Sequence, residues 1–251
     1  MSVFVLVHGA FHGRWCFRRL VSALEARGHR AVAIDLPGHG DSEMDPATVT
    51  MADYVSSVSD VIDSVEHEEP ILVGHSMAGM VISEVAEAKK DRLAALAYIS
   101  AYLPRSGESL LSIEARNPDP RMTAAVTPSP DMRVAYLDAD KAAPVFYNGC
   151  DESDVRFAKS KLSDQPGAPF MTPVMLTEGG FGAVPKAYFL CEDDLTIPLA
   201  LQQDMLATRQ EAEVYRLPSG HSPFFSQVEK LADDLAKYAS DVLVKTGSEA
   251  A

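Results

Sequence analysis

Ser76 stands at the centre of Gly74-His75-Ser76-Met77-Ala78, directly after the apolar run Ile71-Leu72-Val73, and this stretch reads as a strand turning sharply into a helix with a hydroxyl at the bend. A serine hydroxyl is a poor nucleophile in water. A tight elbow holds its oxygen clear of neighbouring side chains, within reach of a base and of backbone N–H groups. Small residues must flank such a turn, and here they are Gly74 and Ala78, with Gly79 next. Ala78 stands where glycine is usual and adds one methyl at the expected closest approach of helix and strand. Two distant loops carry the partners this chemistry needs. His221 follows an expected strand at 214–217 and is the candidate base; Asp194 follows an expected strand at 187–191 and is the candidate orienting acid, with Glu192 and Asp193 beside it. The base must be neutral to act, so the rate is expected to fall on the acid side of neutral pH.

Acyl transfer also needs two N–H donors converging on the oxygen that becomes negative in the tetrahedral intermediate. The amide of Met77, which follows the serine, is one candidate. The other is the amide of Ala10, in the loop His8-Gly9-Ala10-Phe11-His12-Gly13 after the first expected strand.

Strands and helices alternate through the first hundred residues, the pattern of a mostly parallel sheet covered on both faces. The expected strands are 4–8, 31–35, 71–73 and 94–100, and the expected helices are 16–27, 51–66 and the one that begins at the elbow. From 102 to 185 the text changes to short amphipathic pieces broken by prolines at 104, 118, 120, 128, 130, 144, 166, 169 and 173. An insertion of that length in a compact domain is usually a functional lid, so 102–185 is expected to form a cap over a core made of 1–101 and 186–251. The alternation then returns, with helices at 198–209 and 226–244 and a disordered tail at 245–251. Phe11 and His12 of the first loop, with the cap aromatics Phe146, Tyr147, Phe170 and Phe181, are the candidate lining of an apolar substrate pocket. Met122, Met132, Met171 and Met175 share that segment.

Read from end to end, these motifs resemble the α/β-hydrolase family, and more closely its subgroup of plant methylesterases, hydroxynitrile lyases and small bacterial esterases. The resemblance rests on Val5-Leu6-Val7-His8-Gly9-Ala10 with Trp15-Cys16-Phe17, on Asp35-Leu36-Pro37-Gly38-His39-Gly40, on Phe146-Tyr147-Asn148-Gly149-Cys150, on Cys191-Glu192-Asp193-Asp194 with Ile197-Pro198, and on Gly220-His221-Ser222-Pro223-Phe224. The order Ser, Asp, His is that family's order and differs from the orders of the serine proteases. What it implies is an α/β-hydrolase fold and a serine carboxylesterase acting on small apolar or aromatic esters, methyl esters included, with Asp194 favoured over Asp193 as the acid. A hydroxynitrile lyase is the nearest competing enzyme. In the lyases of the subgroup a threonine follows the first-strand histidine and a lysine follows the catalytic one; here those positions are Gly9 and Ser222. A ligand-binding receptor with little turnover is the competing reading of a different class.

Composition bounds the partners. The 251 residues carry a formal net charge of −14 and are 47% apolar, enough for one large domain and a substantial core. That charge, with no clustered Lys and Arg, argues against nucleic acid and against an anionic membrane surface. Cys16, Cys150 and Cys191 cannot all pair and have neither zinc nor redox spacing. No leader or apolar run of about 18 residues stands out, so a cytoplasmic protein is expected. His8 and His12 share four-residue spacing, but across a loop and without accompanying carboxylates, so no metal is expected. Gly38-His39-Gly40 lacks the third glycine of a dinucleotide fingerprint and follows the second strand, so no organic cofactor is expected either. The expected partner is a small-molecule ester, with a homodimer as the candidate assembly.

Overall fold

In the computed structural model, which describes residues 1–65 and 68–249, six strands form one parallel sheet. They are β1 (Val3–Val7), β2 (Arg30–Ile34), β3 (Ile71–His75), β4 (Ala95–Ile99), β8 (Lys186–Cys191) and β9 (Glu213–Leu217), in the order β2-β1-β3-β4-β8-β9. β1, β3, β4 and β8 are buried along their whole length. That is why they read as continuous apolar runs instead of alternating ones. Phe4 pairs with Ile71 and Val7 with Gly74, which brings the carboxyl ends of β1 and β3 side by side. Strand order reverses between these two strands, and such a switch point opens a crevice beyond their carboxyl ends.

Helices cover both faces. α1 (Arg18–Ala26) and the long C-terminal α10 (Val228–Glu249) pack on one side, and α2 (Met51–Ser64) and α3 (Ala78–Lys89) on the other. α2 starts on a capping box, in which the Thr50 hydroxyl accepts from the Asp53 amide and the Asp53 carboxylate accepts from the Thr50 amide. Its stripe of Tyr54, Val58 and Ile62 is fully buried. It ends at Ser64; the expected end at Glu66 lies outside the described residues. α1 begins later than the 16–27 pattern suggested, because Arg14–Phe17 forms a separate 3-10 turn. The last helix is preceded by the short α9 (Pro223–Ser226) and runs on to Glu249, through most of the tail expected to be disordered; Ala250 and Ala251 lie outside the described residues. Among the described residues no helix is long and apolar enough to cross a membrane.

Between β4 and β8 the chain builds a separate three-stranded antiparallel sheet from β5 (Val126–Pro128), β6 (Val134–Leu137) and β7 (Gln165–Pro166). Four helices surround it: α4 (Leu110–Glu114), α5 (Ala139–Phe146), α6 (Glu152–Lys159) and α7 (Ala168–Met171). Gln165 ties this segment to the core. Its side chain is fully buried, accepts from the Phe11 amide at 3.2 Å and donates to the Tyr54 hydroxyl at 3.1 Å. The Ser163 amide donates to the Phe11 carbonyl at 3.0 Å, so the loop after β1 is held by the inserted segment from both sides of one residue.

The tight approach at the elbow lies one residue beyond the expected position. A Cβ on Gly79 would sit 2.0 Å from the Tyr102 carbonyl oxygen, and one on Gly74 would sit 2.9 Å from that of Ala78. Ala78 itself is simply buried. Its methyl is tolerated because the backbone contact that excludes a side chain falls on its neighbour.

Candidate active site

Ser76 directly follows β3 with φ of +54°, a left-handed conformation that L-residues rarely hold. The turn is fixed on both sides. The Ser76 amide donates to the Ile99 carbonyl at 3.3 Å, and the Ser76 carbonyl accepts from the amides of Gly79 and Tyr102, each at 3.0 Å. Because the peptide unit is planar and trans, fixing the Ser76 carbonyl also fixes the direction of the Met77 N–H. The same logic applies across the crevice. The Gly9 carbonyl accepts from His8 Nδ1 at 2.8 Å and from the His12 amide at 3.4 Å, which sets the direction of the Ala10 N–H. Neither the Ala10 nor the Met77 amide is taken by a protein acceptor among the described residues. Gly9 is required for this approach, since a Cβ there would lie 2.8 Å from that of Ser76.

His221 and Asp194 meet behind the serine, both buried, with Nδ1 of the imidazole 2.7 Å from Oδ2 of the carboxylate. Asp194 is saturated with donors: Oδ2 also accepts from the Ser100 hydroxyl, and Oδ1 accepts from the amides of Thr196 at 2.6 Å and Ile197 at 3.0 Å. Its neighbours do other things. Glu192 pairs with Arg216 at the surface, and Asp193 is exposed. Ser100 was not singled out in the sequence; it lies at the carboxyl end of β4 with φ of +38°, and that position at a strand end was its only signal. The His221 ring stacks 5.8 Å from Phe146, and its carbonyl accepts from His75 Nε2 at 2.9 Å. The Ser76 hydroxyl makes no hydrogen bond among the described residues, leaving its rotor free to turn.

A cavity of about 300 Å³ opens over the serine. Ala10, Phe11, Ser76 and Met77 form its floor, and Phe146, Phe170 and Met122 are among the residues that wall it. Three of the candidate pocket residues lie elsewhere. His12 and Tyr147 stand behind Phe146, where the Tyr147 hydroxyl meets His12 Nε2 at 2.8 Å while His12 Nδ1 holds the Ala10 carbonyl at 2.7 Å. Phe181 is a correction. It is buried against α3, with Lys186 Nζ 4.4 Å and Arg209 Cζ 5.1 Å from its ring centre, because the chain from 177 onward has already turned back toward β8. The sequence reading also left out Tyr102, Glu114 and Thr196, which line the cavity from the ends of α4, β4 and the loop bearing Asp194.

Five of the seven histidines gather below the cavity, and four of them are held neutral by burial. Burial pushes His8 down to about 4 and His12 down to about 3, and it lowers His39 and His75 well below the ordinary histidine value. The bonding at His8 fits a neutral ring, with Nδ1 donating to the Gly9 carbonyl while Nε2 accepts from the Leu36 amide; His75 donates from Nε2 to the His221 carbonyl, and its buried Nδ1 has no partner among the described residues. Among the described residues no cluster of His, Cys, Asp or Glu is arranged to hold a metal ion. The unfolded chain takes up protons on these rings below about pH 6.5, whereas the folded chain does not until much lower. Stability from this source is therefore complete above pH 6.5 and falls as the pH drops toward 4. Each ring costs up to about 1.4 kcal/mol per pH unit in that window. The urea midpoint is expected to be clearly lower at pH 5 than at pH 7, and a midpoint that does not move would contradict the neutral assignment.

The chain matches the family model described as "Alpha/beta hydrolase family" over residues 4–234. It is 29% identical over 239 residues to "Putative methylesterase 11, chloroplastic" of Arabidopsis thaliana, covering 91% of this chain but only 61% of that relative. A pyrethroid hydrolase of Sphingobium wenxiniae is 31% identical, over 94% of this chain and 86% of the relative. Among solved structures, a pyrethroid hydrolase from Sphingobium faniae superposes with a TM-score of 0.87 at 29% identity, covering 95% and 97% of the two chains.

Proposed function

The chain belongs to the α/β-hydrolase family, and from that premise we propose that it is a serine carboxylesterase that hydrolyses small apolar or aromatic carboxylic esters, methyl esters among them, through an acyl-enzyme. One observation carries this reading: a serine held at positive φ lies on the floor of an apolar cavity between two residues whose amides have no protein acceptor among the described residues. A substrate carbonyl placed over Ser76 would meet the Ala10 and Met77 N–H groups as its oxygen becomes negative. Each such donor is worth about 2.7 to 4 kcal/mol in the transition state. In this scheme Ser76 attacks the carbonyl carbon as His221 takes its proton, and His221 then gives that proton to the leaving alcohol. Water repeats the two steps and releases the acid. Asp194 would keep Nδ1 of His221 protonated, so that Nε2 is the free basic nitrogen. Residues 102–185 would serve as the cap that supplies the apolar walls and keeps bulk water out.

A pyrethroid hydrolase and a methylesterase name among the relatives supports ester chemistry. Cyanide release is disfavoured because the residue after His221 offers no cation. Ser222 is fully buried and its hydroxyl donates to the Phe146 carbonyl at 2.8 Å. The test is a panel of p-nitrophenyl acetate, phenyl acetate and methyl benzoate beside mandelonitrile, followed to many turnovers. Steady hydrolysis of the esters without cyanide is expected. A single slow turnover, or cyanide release faster than ester cleavage, would overturn the proposal.

A further inference from the structure

Glu114 is the one acidic or basic side chain among the described residues that line the cavity. It closes α4 and is half-buried, and both of its carboxylate oxygens accept: Oε2 from the Tyr102 hydroxyl at 2.7 Å and Oε1 from Asn117 Nδ2 at 2.8 Å. Burial raises the Glu114 carboxyl above the ordinary glutamate value, and the hydrogen bonds from Tyr102 and Asn117 oppose this by favouring the ionised form. A carboxylate offers about four lone-pair sites, so two remain for a ligand. Its partners connect it to the reacting groups. The Tyr102 amide donates to the Ser76 carbonyl, and Asn117 Nδ2 also donates to the carbonyl of Thr196, two residues beyond Asp194. A negative group held at this point in an otherwise apolar wall is costly unless something in the cavity uses it.

Resting on the esterase reading above, we propose that Glu114 is a specificity residue that selects esters bearing an ammonium or other N–H donor group a few atoms from the scissile carbonyl, and that it rejects esters bearing a carboxylate there. An ammonium group would fill the open lone pairs with a charge-assisted hydrogen bond. A neutral isostere would leave them unfilled in an apolar cavity, and an anion would meet like charge at short range in low dielectric. The bland alternative is that Glu114 only braces Tyr102 and Asn117; in that case the substrate's charge would not matter.

The test uses three matched ethyl esters, those of 4-aminobutanoate and pentanoate and the monoethyl ester of glutarate, with the chain varied by one or two methylenes on either side. At the best length the wild-type kcat/KM is expected to favour the ammonium ester over its neutral isostere by about tenfold, the factor that one charged hydrogen bond supplies. The carboxylate ester is expected to fall below the neutral one by a similar factor. In Glu114→Gln the three values should converge to within about threefold of one another. Gln keeps an acceptor for Tyr102, and the neutral ester reports whether the site survives the change. If that variant does not fold, the wild-type order decides alone. Wild-type values that do not depend on charge, or selectivity that persists in Glu114→Gln, would overturn the inference. No turnover on any of the three by protein that hydrolyses p-nitrophenyl acetate would likewise overturn the inference, whereas no turnover of p-nitrophenyl acetate either would contradict the esterase reading itself.

Discussion

Replacing Ser76 with alanine is expected to lower kcat/KM toward p-nitrophenyl acetate by about 10⁵ to 10⁶, the scale on which a serine nucleophile's removal acts when base and oxyanion donors stay in place. The fold should survive. Alanine meets the same backbone cost at φ of +54° that serine already meets, and the hydroxyl it removes makes no hydrogen bond among the described residues. The turn is held by main-chain bonds from Ser76 to Ile99, Gly79 and Tyr102, which the substitution leaves intact. An unchanged thermal midpoint with activity reduced to the level of the donors alone is therefore the expected pair of results. Activity within tenfold of wild type would mean that another group attacks.

Asp194→Asn is expected to cost about 10⁴ in kcat at pH 7, the size of effect that follows when the orienting carboxylate is made neutral and the imidazole tautomer is no longer enforced. The structure makes this change harsher than its isosteric appearance suggests. Both oxygens of Asp194 accept, one from His221 Nδ1 and the Ser100 hydroxyl, the other from the Thr196 and Ile197 amides. Asparagine has one NH₂ group, and either orientation aims it at donors. Facing the two amides, it would break the turn that carries residue 194; facing His221, it would force Nδ1 to accept and would move the proton to Nε2, the nitrogen needed as base. Ser100→Ala removes one donor and should cost far less. Loss of less than tenfold in Asp194→Asn, measured with the neutral aryl ester, would contradict the assigned role.

Much of the framework was readable in the chain because it is written in local signals. Four strands buried on both faces appear as mostly apolar runs such as Val3-Phe4-Val5-Leu6-Val7 and Ile71-Leu72-Val73, and a serine between Gly74 and Ala78 after one of them marks the turn. What the chain could not display is contact between residues far apart in sequence. Glu192, Asp193 and Asp194 are equivalent as text; the β8 and β9 registers bury only the third, against a histidine 27 residues away. Gln165 and Phe11 meet across 154 positions and Ser100 and Asp194 across 94, so no periodicity announces them. Phe181 illustrates the reverse error. An aromatic in a proline-rich insertion was assigned to the pocket by its neighbourhood in the text, but the chain had by then returned to the core, where two cations cover the ring. Glu114 went unnoticed because nothing near it in sequence distinguishes it from a solvated helix end.

The account stands most directly on which atom attacks, and that is open to a single covalent measurement. Treatment with an alkyl fluorophosphonate, followed by intact mass and peptide mapping, is expected to show one adduct on the peptide carrying Ser76, formed in step with loss of esterase activity and absent from Ser76→Ala. An adduct at a different residue that tracks the loss of activity, or full ester turnover by protein quantitatively labelled at Ser76, would contradict it.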